Sequence, residues 1–210
     1  MSNEWRNIAD MTARSLRELA QVWDELLADD DSPPYIDRRH EMPVNFDPFH
    51  PDFVRCFPGN EMWPIRDLDT LTGLTIHHTI SHSPIATANY CTKGKGYPTT
   101  QYHYWVSAGD GCPCYLLVDP SVAMWHDQTG RHPTTLSVAM AGRLDIDPPP
   151  SEQIEAAARL CVWLMNQFGV VDVVGHKDRY RGTVCPGWDA AHWRTEFFDV
   201  LRDASIDYDS

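Results

Sequence analysis

A histidine and a cysteine nine residues apart, in Gly175-His176-Lys177-Asp178 and Thr183-Val184-Cys185-Pro186-Gly187, flank a short polar loop. That spacing lets both side chains reach one small ion. A third candidate ligand lies far upstream in Leu74-Thr75-Ile76-His77-His78-Thr79, where an apolar run ends in two histidines. Two imidazoles and one thiolate suit zinc, and three protein ligands instead of four leave a position open for water. Such a site does chemistry. A lone His or Cys is ordinarily a core or surface residue, so the reading rests on the three together.

The elements that must carry these side chains follow from periodicity and punctuation. Leu74 to Thr79 reads as a buried strand that delivers His77 at its end, and Val170 to Val174 as another that ends at His176. Ser83-Pro84 offers an N-cap followed by proline at the first helical position, predicting a short helix to about Cys91. Tyr102 to Ser107 alternates as a strand, Ala108-Gly109-Asp110-Gly111 turns it, and Cys114 to Val118 returns as its partner. Leu136 to Ala141 is a further apolar strand. Ser151, after three prolines, is predicted to cap a helix with the stripe Ile154, Ala157, Ala158, Cys161, Leu164 and Met165, which Gly169 stops. A last helix from Asp189 puts Trp193, Phe197, Val200 and Leu201 on one face. Strands interleaved with helices and a hairpin predict an α/β domain over residues 71–210, with a mixed central sheet flanked by helices.

Residues 1–70 form an N-terminal extension of different character. Residues 4–28 have the apolar spacing of an amphipathic helix, with Leu16, Leu19, Ala20, Trp23, Leu26 and Leu27 on one stripe. Residues 31–70 are broken by proline yet rich in aromatics, and read as an irregular strap over the domain. The extension is expected on the face away from the three ligands. A docking helix for a larger assembly is the rival reading, and a monomer is favoured.

Composition narrows the function. The net charge of −13 and the three lysines among 210 residues argue against nucleic acid, whose phosphates require clustered bases. The acidic excess is concentrated in residues 1–70, with 15 acids against 7 bases, and reads as a solvated surface. No run approaches the ~18 apolar residues of a membrane span. Met1-Ser2-Asn3-Glu4-Trp5 has neither the basic segment nor the apolar core of a secretory signal, so cytoplasmic synthesis and six mostly free cysteines are expected. Cys112-Pro113-Cys114 is too tightly spaced for the common metal or redox pair.

These pieces, in this order, resemble the zinc-dependent N-acetylmuramoyl-L-alanine amidases, the family of phage lysozyme-type amidases and peptidoglycan recognition proteins. The resemblance covers roughly residues 71–201. Ile76-His77-His78-Thr79 resembles the first ligand strand of that family, and Gly175-His176 and Cys185-Pro186-Gly187 resemble its second and third ligand segments. Gln101-Tyr102-His103-Tyr104, followed by Gly109-Asp110-Gly111, is similar to its catalytic-tyrosine strand and turn. Met124-Trp125-His126 resembles the segment that sets a histidine beside the substrate groove, and Val138-Ala139-Met140-Ala141-Gly142 its central strand.

The resemblance implies a zinc hydrolase acting on peptidoglycan or muropeptides, of the endolysin type, made in the cytoplasm and acting on the cell wall after release. It implies His77, His176 and Cys185 as zinc ligands, Tyr102 and Thr183 as donors to the oxyanion, and His126 as a substrate contact. One such donor is typically worth ~3–4 kcal/mol. The competing functional reading is a non-catalytic peptidoglycan-binding module of the same fold, which usually lacks the cysteine. Residue by residue the alternatives are plain: Tyr102 as strand core, Thr183 as a loop cap, His126 as a surface histidine. His78 and His103 are expected to face away from the functional side of their strands. Two departures stand out. The stretch between His176 and Cys185 is one residue longer than the family's usual spacing, which demands a bulge at Arg179-Tyr180-Arg181-Gly182. Ala139 and Ala141 stand on the strand where some relatives carry a glutamate base.

Overall fold

The structure, a computed structural model, describes residues 33–44, 63–127, 132–187 and 191–206. The helix expected over 4–28 lies outside them. In chain order come β1 (Ile36–Asp37), β2 (Gly73–Thr79), α1 (Pro84–Asn89), β3 (Tyr104–Val106), β4 (Cys114–Leu116), β5 (Thr135–Ala141), α2 (Ser151–Phe168), β6 (Asp172–Gly175), α3 (His176–Arg179) and α4 (Ala191–Ile206). The six strands form one sheet in the order β1-β4-β3-β5-β2-β6, parallel throughout except for the β3–β4 hairpin. This is the mixed α/β sheet that the sequence pattern predicts.

Alternation along the two central strands assigns the two faces. Leu74 and Ile76 of β2 join Leu136, Val138 and Met140 of β5 beneath α2 and α4, whose Leu160, Cys161, Leu164 and Phe197 complete that core. The intervening residues, Thr75, His77, Thr135, Ser137 and Ala139, point to the opposite face and are also buried. A strand covered on both sides needs apolar or small hydrogen-bonding side chains on both, which these segments supply.

Three local expectations shift. Pro150, not Ser151, occupies the N-cap of α2, because its extended backbone (φ −64°, ψ 150°) directs its carbonyl at the Gln153 and Ile154 N–H groups. Gly169 does end that helix, in the left-handed conformation at φ 62°. Ser83 caps α1 as expected, accepting from Ala86 N–H at 3.2 Å, but the helix stops at Asn89 and widens into a π-turn over Tyr90–Gly94. Finally, the proline-rich strap contributes a strand of its own: β1 pairs with β4 at the sheet edge.

The described strap residues grip both faces. Tyr35 packs edge-on against Tyr104 and Trp163, each at 5.4 Å between ring centres, on the helical side. Met42 and Trp63 enter the cluster on the other side, together with Ala88, Tyr102, Trp105 and Met124. The described part of the extension therefore also packs beside Tyr102, not only on the face away from the ligands. Among the described residues, no helix is long and apolar enough to cross a membrane.

Candidate active site

Strand register brings the first two candidate ligands together. β2 and β6 run parallel, and their last paired residues are Ile76 and Gly175. The next residue in the chain after each is a histidine, so His77, within β2, and His176, which opens α3 directly after β6, emerge side by side, with ring centres 4.6 Å apart. A chain reversal then returns Cys185 to the same spot. Lys177 N–H donates to the Cys185 carbonyl at 2.7 Å, tying the segment after His176 to the third candidate ligand. Cys185 N–H donates to Thr183 Oγ1 at 3.1 Å, and Cys185 Sγ accepts from His78 N–H at 3.2 Å.

Two residues that sequence reading missed stabilise this reversal. Arg179 has a buried guanidinium that donates to Thr75 Oγ1 and to an Asp172 carboxylate oxygen, both at 3.0 Å, pinning α3 to β2 and β6. Asp178 accepts from Gly175 N–H at 3.0 Å, holding the strand-to-helix corner. In the stretch where a bulge is expected, Tyr180 folds its ring over Gly182, where an added Cβ would lie 2.5 Å from the phenol oxygen. Gly187 sits at φ 87°, and a Cβ there would meet the Leu144 carbonyl carbon and oxygen at 2.3 Å. Gly187→Ala is accordingly expected to cost at least ~1–3 kcal/mol. It should also lower metal affinity, since the Leu144 loop and the Cys185 turn must separate. Thermal melting and metal titration of the variant check this, and an unchanged melting temperature would contradict it.

The ligand atoms of His77, His176 and Cys185 all lie within 4.8 Å of one another, the one such His/Cys/Asp/Glu group among the described residues. Cys185 Sγ is 3.7 Å from His77 Nδ1. Zn–N and Zn–S bonds of ~2.1 and ~2.3 Å give tetrahedral ligand-to-ligand edges of roughly 3.5 Å, so the spacing suits one ion. His176 Nε2 is buried and makes no hydrogen bond, as a nitrogen reserved for a metal would be. Burial holds His77 well below its ordinary pKa, helped by the neighbouring His176 and His126, and lowers His176 against the pull of Asp127. Both rings are thus neutral and carry a lone pair. Burial pushes the Cys185 thiol up to about 12, so a cation is what would hold it as thiolate. The donor set and its electrostatics fit zinc.

Tyr102 lies beside this group, its ring centre 5.4 Å from that of His77. Burial raises its pKa far above the ordinary value, which keeps the phenol protonated as a donor. Ala139 faces His77 directly across the β2–β5 register, where it offers no carboxylate. Thr183, half-buried, shapes the Cys185 turn through its oxygen and retains its own proton to donate.

The sequence places His126 beside the groove, whereas in the structure it is 2% exposed and lies behind His77, with His126 Nδ1 3.3 Å from His77 Nε2. His78 points away from His77 and approaches Asp145 at 3.7 Å. His103 does not face away from the site. Tyr102 precedes β3 and escapes its alternation, so His103 shares the face of Trp105 and bonds Ser137 at 3.0 Å. Arg66, also unforeseen, runs beneath the site and donates to the carbonyls of Pro120 (2.9 Å) and Thr135 (2.8 Å). Cys112 and Cys114 are buried thiols, and burial pushes Cys114 up to about 12.

Comparison with solved structures defines the fold first. The N-acetylmuramoyl-L-alanine amidase endolysin LysCS from Clostridium intestinale is 23% identical, with a TM-score of 0.52 over 60% of this chain and 83% of that one. The Ph2119 endolysin of a Thermus scotoductus bacteriophage is 23% identical, with a TM-score of 0.55 over 72% and 95%. Drosophila peptidoglycan recognition protein SD, at 17% identity, gives 0.58 over 74% and 89%. At such identities these likenesses establish the fold. No curated protein matches by sequence. The sequence pattern of the N-acetylmuramoyl-L-alanine amidase family, however, matches residues 67–188, more than half of the chain, and the chain belongs to that family. It is an amidase of that specificity, and the clustered His and Cys residues sit within the matched stretch.

Proposed function

We propose that this chain is a zinc-dependent lytic amidase of the endolysin type, holding the ion through His77, His176 and Cys185. The reading rests on one observation above the rest: three ligand atoms of zinc-preferring type converge within 4.8 Å beside a buried phenol. Zinc bound there supplies an activated water and a Lewis acid at the scissile carbonyl. The chain's own residues do the remainder. His77 and His176, kept neutral by burial, offer lone pairs. Tyr102 remains protonated and donates to the oxyanion that develops at the muramoyl carbonyl, and Thr183 is placed to add a second donor from the Cys185 turn. Ala139 leaves the position across from His77 without a carboxylate, so the proton that the departing amine needs would come from the attacking water, with Tyr102 keeping its own. The substrate is the amide linking N-acetylmuramic acid to L-alanine in peptidoglycan.

Digestion of purified peptidoglycan tests this. New L-alanine amino termini without new reducing sugars are expected. New reducing ends alone would overturn the bond assignment, and tight muropeptide binding with no product would favour the binding module.

A further inference from the structure

We infer that His126 is a positioning residue for the metal site, fixing the tautomer and orientation of His77. The inference rests on His77 being a ligand, as proposed above. The argument starts at a group with no choice of role. The Thr135 carbonyl can only accept, and His126 Nε2 lies 3.2 Å from it and 3.2 Å from Thr135 Oγ1. An unprotonated Nε2 would oppose its lone pair to that carbonyl, whereas an N–H at this position satisfies carbonyl and hydroxyl together. The proton of His126 therefore resides on Nε2. Arg66 donates to the same Thr135 carbonyl at 2.8 Å, which fixes that acceptor in place.

His126 Nδ1 is then an acceptor, and it faces His77 Nε2 at 3.3 Å. His77 must supply the hydrogen, so its own proton is on Nε2. The lone pair consequently falls on Nδ1, the atom 3.7 Å from Cys185 Sγ. The chain of constraint runs from a backbone carbonyl through two imidazoles to the ligand atom. The two rings stand nearly perpendicular, at 89°. A metal-bound histidine is commonly oriented by a partner on its other nitrogen. Here that partner is a second, fully buried histidine, which has no exposed edge to offer a substrate.

The test uses the metal-free full chain and zinc titration by chelator competition. In the wild-type apoprotein, nitrogen NMR should show His77 protonated at Nε2 and His126 Nδ1 unprotonated. His126 protonated at Nδ1 overturns the inference without any variant. His126→Leu keeps the bulk but removes the acceptor, and should weaken zinc binding ~10–100-fold. His126→Gln can accept from His77 and donate to Thr135, and should recover most of that loss. An unchanged zinc Kd in a folded His126→Leu, or a Gln variant no better than Leu, rejects the role. If wild-type protein takes up no zinc, the proposed function fails instead, while the tautomer of His77 remains readable.

Discussion

Cys185→Ser is expected to fold and to lose metal and turnover together. The backbone around residue 185 is held by contacts the substitution leaves in place: Lys177 N–H on its carbonyl, and Thr183 Oγ1 on its N–H. What changes is the donor. A serine hydroxyl is a far weaker ligand than a thiolate, and His78 N–H would face a smaller, harder oxygen instead of sulfur. Loss of a supporting partner alone typically weakens a site ~10–100-fold, so loss of an inner ligand should exceed ~100-fold. Elemental analysis should find well under one zinc per chain, and a chelator should bring wild-type protein to the same inactive state. Wild-type zinc content and turnover in the variant would remove Cys185 from the ligand set.

The second large effect is expected at Tyr102. Its ring packs with Ala88, Trp105 and Met124 and is 8% exposed, so Tyr102→Phe preserves the contacts and removes one hydroxyl. A donor that acts on the developing oxyanion contributes to the transition state and little to substrate binding. Turnover should fall by ~10²–10³ with KM nearly unchanged. Because burial raises the phenol's pKa, its donor form persists through neutral and mildly alkaline pH, so removing it should scale the pH profile without moving its limbs. A kcat equal to wild type would return Tyr102 to the core.

The His/His/Cys cluster was legible because each member sits near a punctuation mark: His77 late in an apolar strand, His176 just after Gly175, Cys185 before a proline. Pattern reading finds strand ends well, and parallel pairing of β2 and β6 then dictates that the two histidines meet. What escaped depends on contacts between distant segments. Arg66 and Arg179 look like surface charges in sequence, and only the fold buries them against carbonyls, a hydroxyl and a carboxylate. His103 was misassigned to the far face because alternation was extended past the start of β3, through a residue that is not in the strand. His126 carries no local mark of burial, because its partners, His77 and Thr135, are supplied by two different strands. The cap of α2 moved by one residue because Pro150, and not Ser151, holds the extended conformation whose carbonyl opens the helix, and no side chain caps its N-terminus.

Arg66 precedes by one residue the stretch that matches the amidase family, yet its guanidinium supports the floor of the site. Homology and mechanics thus draw the border of the unit in different places. A chimera cut where the family pattern begins would inherit every candidate ligand and still lose the cation that anchors the Thr135 carbonyl. It would also lose the Ile65–Val122 bridge and the hydrogen bond from Ala123 N–H to the Pro64 carbonyl. The smallest exchangeable piece of this protein is therefore longer than its recognisable one, and a graft meant to carry the chemistry should start upstream of Trp63.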